Sequence, residues 1–291
     1  MRRTKTSAFG SSSRIGHDAS KFYAQRLYED TEHLSNREVL TDENVPDQLD
    51  VIHCADSRSM QHLPDRSVHL MITSPPYNVG KEYDQDLSLK EYIALLGDVL
   101  REVYRVLVYG GRMCVNIANV GRKPYIPLHL YLMQIALDLG FLMRGEIVWD
   151  KGASAGTSCA WGSWKSARNP TLRDVHEYVL VFSKDSFKRT TGQQDSIGRE
   201  EFLEWSKSVW RFATVRASKY KHPAPFPVEL PLRLIHFYSF EGDVVLDPFM
   251  GSGTTAEAAL LSNRRYVGYE INEEYLRTSS ERLSVLQSPN S

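Results

Sequence analysis

From Asp50 onward, short apolar runs alternate with stretches of helical spacing. Val51-Ile52-His53-Cys54 reads as a strand ending at Asp56, and Val68-His69-Leu70-Met71-Ile72-Thr73 as a second that runs straight into Ser74-Pro75-Pro76-Tyr77. Residues 89–108 place Tyr92, Leu95, Leu96, Val99, Val103 and Leu107 on one broad face, the spacing of an amphipathic helix. Gly110-Gly111 is expected to close that helix, as C-terminal glycines do, and 113–117 follows as a strand. Residues 128–139 form a further helix ended by Gly140, and 146–149 and 178–182 are strands. Beyond them 231–238 and 254–261 read as helices, 244–246 and 266–269 as strands, and a last helix starts near Asn272. This alternation predicts an α/β fold with a mostly parallel sheet, whose ligands sit beyond the carboxyl ends of the strands.

Two stretches break the rhythm. Residues 1–15 are basic and serine-rich, a composition that supplies little core and predicts a mobile tail. Residues 18–32 have the spacing of a short amphipathic helix with Phe22, Leu27 and Tyr28 on its apolar side. The second stretch, 152–221, is rich in Gly, Ser and Thr. It interleaves Lys165, Arg168, Arg173, Lys188, Arg189, Arg199, Arg211, Arg216, Lys219 and Lys221 with Trp161, Trp164, Trp205 and Trp210. Two readings fit that composition. One is a surface insertion with locally packed tryptophans; the other is a nucleic-acid-facing lobe, with cations for phosphates and aromatics for stacking.

Composition narrows the field. The 291 residues are 42% hydrophobic and 24% charged, enough for one substantial domain plus an insertion. A formal net charge of -1 means that any nucleic-acid contact is confined to one face or segment. Cys54, Cys114 and Cys159 are an odd number at no zinc-ligand spacing, so neither a disulfide framework nor a metal site is expected. No apolar stretch is long enough to span a membrane, and no apolar run follows Met1-Arg2-Arg3 as in a secretory signal. The expected setting is cytoplasmic.

Asp247-Pro248-Phe249-Met250-Gly251-Ser252-Gly253-Thr254-Thr255-Ala256 follows a strand and opens a helix. Gly251, Gly253 and Ala256 meet the G-x-G-x-x-G/A spacing, and Glu270 ends the next strand at the expected interval of about 20 residues. Glycines let the backbone approach a ligand without a Cβ clash. A carboxylate at the second strand's tip can accept from both hydroxyls of a ribose. Taken alone, these features also fit a nicotinamide oxidoreductase.

Thr73-Ser74-Pro75-Pro76-Tyr77-Asn78 offers different chemistry. Two prolines remove two backbone donors and stiffen the chain in an extended conformation, leaving the carbonyls before them free to accept. With the Ser74 hydroxyl and the flat ring of Tyr77, they form a cradle for a planar group that bears an amine.

This tetrapeptide resembles the [Asp/Asn/Ser]-Pro-Pro-[Tyr/Phe] motif of DNA amino-methyltransferases, and the loop at 247–255 is similar to that family's S-adenosylmethionine loop. His222-Pro223-Ala224-Pro225-Phe226-Pro227 is similar to the segment preceding the loop. Catalytic motif, cationic insertion and cofactor loop come in the order of the permuted β class, and the resemblance spans 50–283. It implies a Rossmann-like, S-adenosylmethionine-dependent methyltransferase fold. Residues 1–45 are then a tail and helix, 46–151 the catalytic part, 152–221 a target-recognition insertion that includes a core strand near 177–183, and 222–291 the cofactor-binding part.

The same resemblance implies roles for residues. Ser74, Pro75, Pro76 and Tyr77 are catalytic, and Asp56, Ser74, His222, Phe226, Asp247, Phe249, Gly251, Ser252, Gly253, Thr254 and Glu270 bind cofactor, Asp56 at the adenine end. Lys165, Arg168, Arg216 and Lys219 contact DNA. Ser in the first motif position implies methylation of cytosine at its 4-amino group, by direct in-line transfer to a base flipped from double-stranded DNA. A restriction-modification setting follows, with a cognate endonuclease or a homodimer as partners. Adenine-N6 methylation is the alternative, and RNA or a protein amide as substrate, or an inactive DNA-binding module, stay open. Carbon-5 methylation would need a suitably placed cysteine nucleophile, and none of the three stands in a Pro-Cys dipeptide.

Overall fold

A computed structural model describes residues 23–28, 42–77, 86–121, 123–152, 167–170, 172–189, 194–214 and 226–287. The chain divides into Met1–Arg37 and Glu38–Ser291. In the first unit the described residues contain only a short 3-10 helix, Arg26–Tyr28, with Leu27 exposed. The expected tail, and most of the helix expected at 18–32, lie outside the described residues.

In the second unit the elements run β1 (Val51–His53), β2 (Val68–Thr73), α1 (Leu89–Val106), β3 (Leu107–Ile117), β4 (Val120–Gly121), β5 (Tyr125–Ile126), α2 (Leu128–Asp138), β6 (Phe141–Asp150) and β7 (His176–Lys184). Then follow α3 (Arg199–Trp205), β8 (Val209–Arg211), α4 (Glu229–Tyr238), β9 (Val244–Asp247), α5 (Thr254–Leu261), β10 (Arg265–Tyr269) and α6 (Glu273–Gln287). One sheet has the order β1-β10-β9-β2-β3-β7-β6-β8. The pairings from β1 through β3 are all parallel, β7 runs antiparallel to both β3 and β6, and β8 pairs parallel with β6. The α/β class with a mostly parallel sheet is as the alternation predicts.

Both sheet faces are covered, and the side chains of β2 show why. Leu70 and Ile72 join one buried cluster with Leu234, Ile235, Ala256 and Ala259 of α4 and α5. Met71, one residue out of phase, joins the other with Tyr92, Leu96, Val99 and Val103 of α1. The first turn of α1 is fixed by a capping box, Ser88 Oγ accepting from Glu91 N and the Glu91 carboxylate from Ser88 N.

Gly110-Gly111 do not close α1. The helix stops at Val106 because Leu107 turns extended (φ -67°, ψ 139°) and starts β3 at once. Between Val68↔Leu107 and Leu70↔Arg112 the register shifts, and Gly110 lies in that bulge with φ +67°. A Cβ there would stand 2.1 Å from Lys188 O, so the glycine serves a close strand-to-loop approach.

Part of the insertion is also core. Trp210 is 1% exposed, with its indole N–H donating to Trp205 O, and Trp149 donates to Phe212 O. The Arg189 and Asp243 side chains form an ion pair that is almost wholly buried. Of the two readings of this stretch, Trp210 and Arg189 follow the one in which its residues pack locally. No helix of the described residues is long and apolar enough to cross a membrane.

Candidate active site

The parallel pairing Met71↔Leu246 sets the ends of β2 and β9 side by side, so residues 174 positions apart in the chain share one site. Beyond these ends a cleft of about 150 Å³ opens. Ser74, Pro75, Pro76 and Tyr77 form one wall; Phe249, Gly251, Ser252 and Thr254 form another; Asp56, Phe226 and Glu270 complete it. The family resemblance implies this convergence, which no local pattern shows, and the sheet order creates it. His222, Lys165, Arg216 and Lys219 lie outside the described residues, and Arg168 is exposed.

Asp247 and Gly253 do not line the cleft. Gly253 turns the chain into α5 with φ +80°, where a Cβ would meet Ser279 Cβ at 3.0 Å. Asp247, 1% exposed, lies beneath the loop and accepts from Thr73 Oγ1 and Thr255 Oγ1, both at 2.6 Å, and from Phe249 N at 3.0 Å. It ties the cofactor-type loop to the strand that carries the tetrapeptide.

Burial raises the Asp247 carboxyl to about 6, against the hydrogen bonds that lower it. The folded chain therefore holds this proton more tightly than the unfolded chain. Its stabilising contribution is full below about pH 4 and is lost as pH rises through about 6, a difference on the order of 2–3 kcal/mol. Asp247→Asn removes the titration. Denaturant midpoints measured across this interval should fall for the parent relative to the variant as pH rises, and parallel profiles would refute the assignment.

Glu270, at the tip of β10, accepts from Gly251 N and Asn272 N, each at 2.8 Å. Burial raises its carboxyl and these backbone donors oppose the rise. Each oxygen keeps a lone pair for a ligand hydroxyl. Asp56 is gripped by Arg58 through N, Nε and Nη2 at 2.6–2.9 Å, and that hydrogen bonding holds its carboxyl low. Polar groups at two strand tips, with Phe249, Ile271 and Tyr275 lining the same cleft, fit a nucleoside with a ribose and a flat base.

The tetrapeptide end holds a network that periodicity and motif reading missed. Tyr77 Oη is 3.0 Å from Ser74 Oγ and donates to Glu177 Oε2 at 3.2 Å. Asn116 Nδ2 donates to the same carboxylate oxygen at 2.5 Å and lies 3.4 Å from both hydroxyls, while Lys151 Nζ pairs with Glu177 Oε1. A carboxylate can only accept, so Asn116 presents its nitrogen to Glu177. Burial first, and then the Glu177 carboxylate, push the Tyr77 phenol well above its ordinary range, so it keeps its proton. The available signal was Asn116, a polar residue closing the apolar run Met113-Cys114-Val115; Glu177 and Lys151 reach the site through antiparallel pairing that no local pattern reveals.

Cys114 is fully buried and burial pushes its thiol far up, so it offers no thiolate nucleophile.

A two-motif cleft on a largely parallel sheet defines the class, and comparison with known proteins gives the family. Residues 68–281 match the N6/N4 family described as DNA methylase, and the chain belongs to it. It is 30% identical over 277 residues to the Type II methyltransferase M.MjaI of Methanocaldococcus jannaschii, covering 80% of this chain and 90% of that protein. It is also 30% identical to the DNA adenine methyltransferase YhdJ of Escherichia coli K12, covering 81% and 82%. The Thermus thermophilus protein TTHA0409, solved in complex with S-adenosyl-L-methionine, superposes with a TM-score of 0.67 at 31% identity, covering 82% of this chain and 95% of that one.

Proposed function

We propose that this DNA methyltransferase transfers a methyl group from S-adenosylmethionine to the 4-amino group of cytosine in double-stranded DNA. The observation that carries the reading is Ser74 at the head of the tetrapeptide, on the wall of the same cleft as the Gly251–Glu270 cradle. Glu270 would hold the ribose of the cofactor and Asp56 its adenine end, with Gly251 on the cleft wall beside them. Bound there, S-adenosylmethionine supplies an electrophilic sulfonium methyl that the amine takes directly, without a covalent enzyme intermediate.

The protein's own groups orient the acceptor. A base paired in a duplex cannot present its amine, so it is flipped out, at a cost of a few kcal/mol for unstacking. Tyr77 stacks on the flipped ring. Ser74 Oγ and the Ser74 or Pro75 carbonyl accept from the amine, hold its lone pair toward the methyl, and stabilise positive charge as it develops on nitrogen. Proton loss to water follows attack. Adenine-N6 transfer is the second reading, favoured by the likeness to an adenine methyltransferase. The Type II names among the relatives support a restriction endonuclease that reads the same sequence as a functional partner.

Incubation with methyl-labelled S-adenosylmethionine and mixed nucleic acids tests the substrate class. Label is expected in duplex DNA; label confined to RNA or to added protein would overturn the DNA assignment.

A further inference from the structure

The network behind Tyr77 has a direction set by its charges. Glu177 Oε1 faces the Lys151 ammonium, which leaves Oε2 to Asn116 Nδ2 and the Tyr77 hydroxyl. As a carboxylate it has no proton to give, so the single proton of Tyr77 points at it. The Tyr77 oxygen then only accepts from Ser74, 3.0 Å away, and the Ser74 proton is turned toward Tyr77. Ser74 Oγ also accepts a long hydrogen bond from Asn116 Nδ2, at 3.4 Å, so what it has left is a lone pair and no proton.

We propose that Glu177 is a positioning residue for methyl transfer: acting through the Tyr77 hydroxyl, it turns the Ser74 hydroxyl so that Ser74 Oγ can only accept from the target amine. This rests on the reading of Ser74 as an acceptor for that amine. Without the carboxylate, the two hydroxyls are free to point either way, and a serine that donates toward the amine nitrogen would occupy the lone pair that must attack. Lys151 compensates the buried charge, and Asn116, 2% exposed, holds the carboxylate in place from the neighbouring strand. Tyr77 thus has two separable functions, a ring for stacking and a hydroxyl for orientation.

Tyr77→Phe keeps the ring and cuts the chain; Glu177→Gln substitutes an amide that can donate as well as accept. Each is expected to lower single-turnover methyl transfer by about 10- to 100-fold, the scale of one misdirected charge-assisted hydrogen bond. S-adenosylmethionine affinity and melting temperature should stay near the parent's for Tyr77→Phe. The double variant should lose no more than the worse single one, because both cut one path. Parental turnover in Tyr77→Phe, or losses that multiply in the double variant, would overturn the proposal. If Glu177→Gln does not fold, Tyr77→Phe combined with Ser74→Ala carries the same non-additivity test. Ser74→Ala alone separates the two levels. A Ser74→Ala loss without a Tyr77→Phe loss sinks the role of Glu177 and keeps the acceptor reading, whereas parental turnover in Ser74→Ala sinks both.

Discussion

Tyr77→Ala is expected to bind S-adenosylmethionine with an affinity close to the parent's and to lose methyl transfer by on the order of 100-fold or more. Stacking a base on an aromatic ring is worth about 1–3 kcal/mol, and a displacement of about 1 Å in reacting atoms can cost a further 100-fold. The two prolines fix the backbone immediately before the missing ring, so that segment does not shift to replace it. The effect should fall on turnover, since Asp56, Glu270 and the Gly251 turn are untouched. Single-turnover assays alongside calorimetric titration of the cofactor separate the two. Near-parental turnover would remove Tyr77 from the account of base positioning.

Glu270→Ala is expected to do the opposite, weakening S-adenosylmethionine by about 10- to 100-fold, the scale of one or two hydrogen bonds to a charged group. Two losses act in the same direction. The ligand loses its carboxylate acceptor, and Gly251 N loses the partner that holds the glycine turn at 2.8 Å. Turnover at saturating cofactor should recover much of the parental rate. An unchanged dissociation constant would show that Glu270 shapes the loop without touching the ligand.

These residues also show what one-dimensional patterns convey. α5 starts and ends as its apolar spacing predicts, and β2 spans its predicted six residues, because in both the side-chain pattern and the chain geometry agree. The Gly251–Glu270 cradle was legible because its parts are close in sequence and each residue type has one physical use. Asp247 was legible as part of the motif, yet its buried position under the loop follows from Thr73 and Thr255, which only the sheet order brings to it. Gly110 misled for a related reason. A glycine after a helical stretch resembles a C-cap, but here its positive φ serves a bulge in a strand that has already begun. For Trp210 composition left local packing and nucleic-acid stacking both open; strand β8 pairs with β6 and carries it into the core. Glu177 was invisible as a site residue: in β7 it reaches Tyr77 across 100 positions, and it stands at the active end of the sheet because β7 runs antiparallel to its neighbours.

Ser74 carries the assignment of the base, and the most direct test is to identify the nucleoside that receives the methyl group. Unmethylated duplex DNA is incubated with the protein and labelled S-adenosylmethionine, digested to nucleosides and analysed by mass spectrometry. The expected product carries its label as N4-methylcytosine. Label on the 6-amino group of adenine would contradict the assignment drawn from Ser74 while leaving the fold, the cofactor cradle and the in-line chemistry in place.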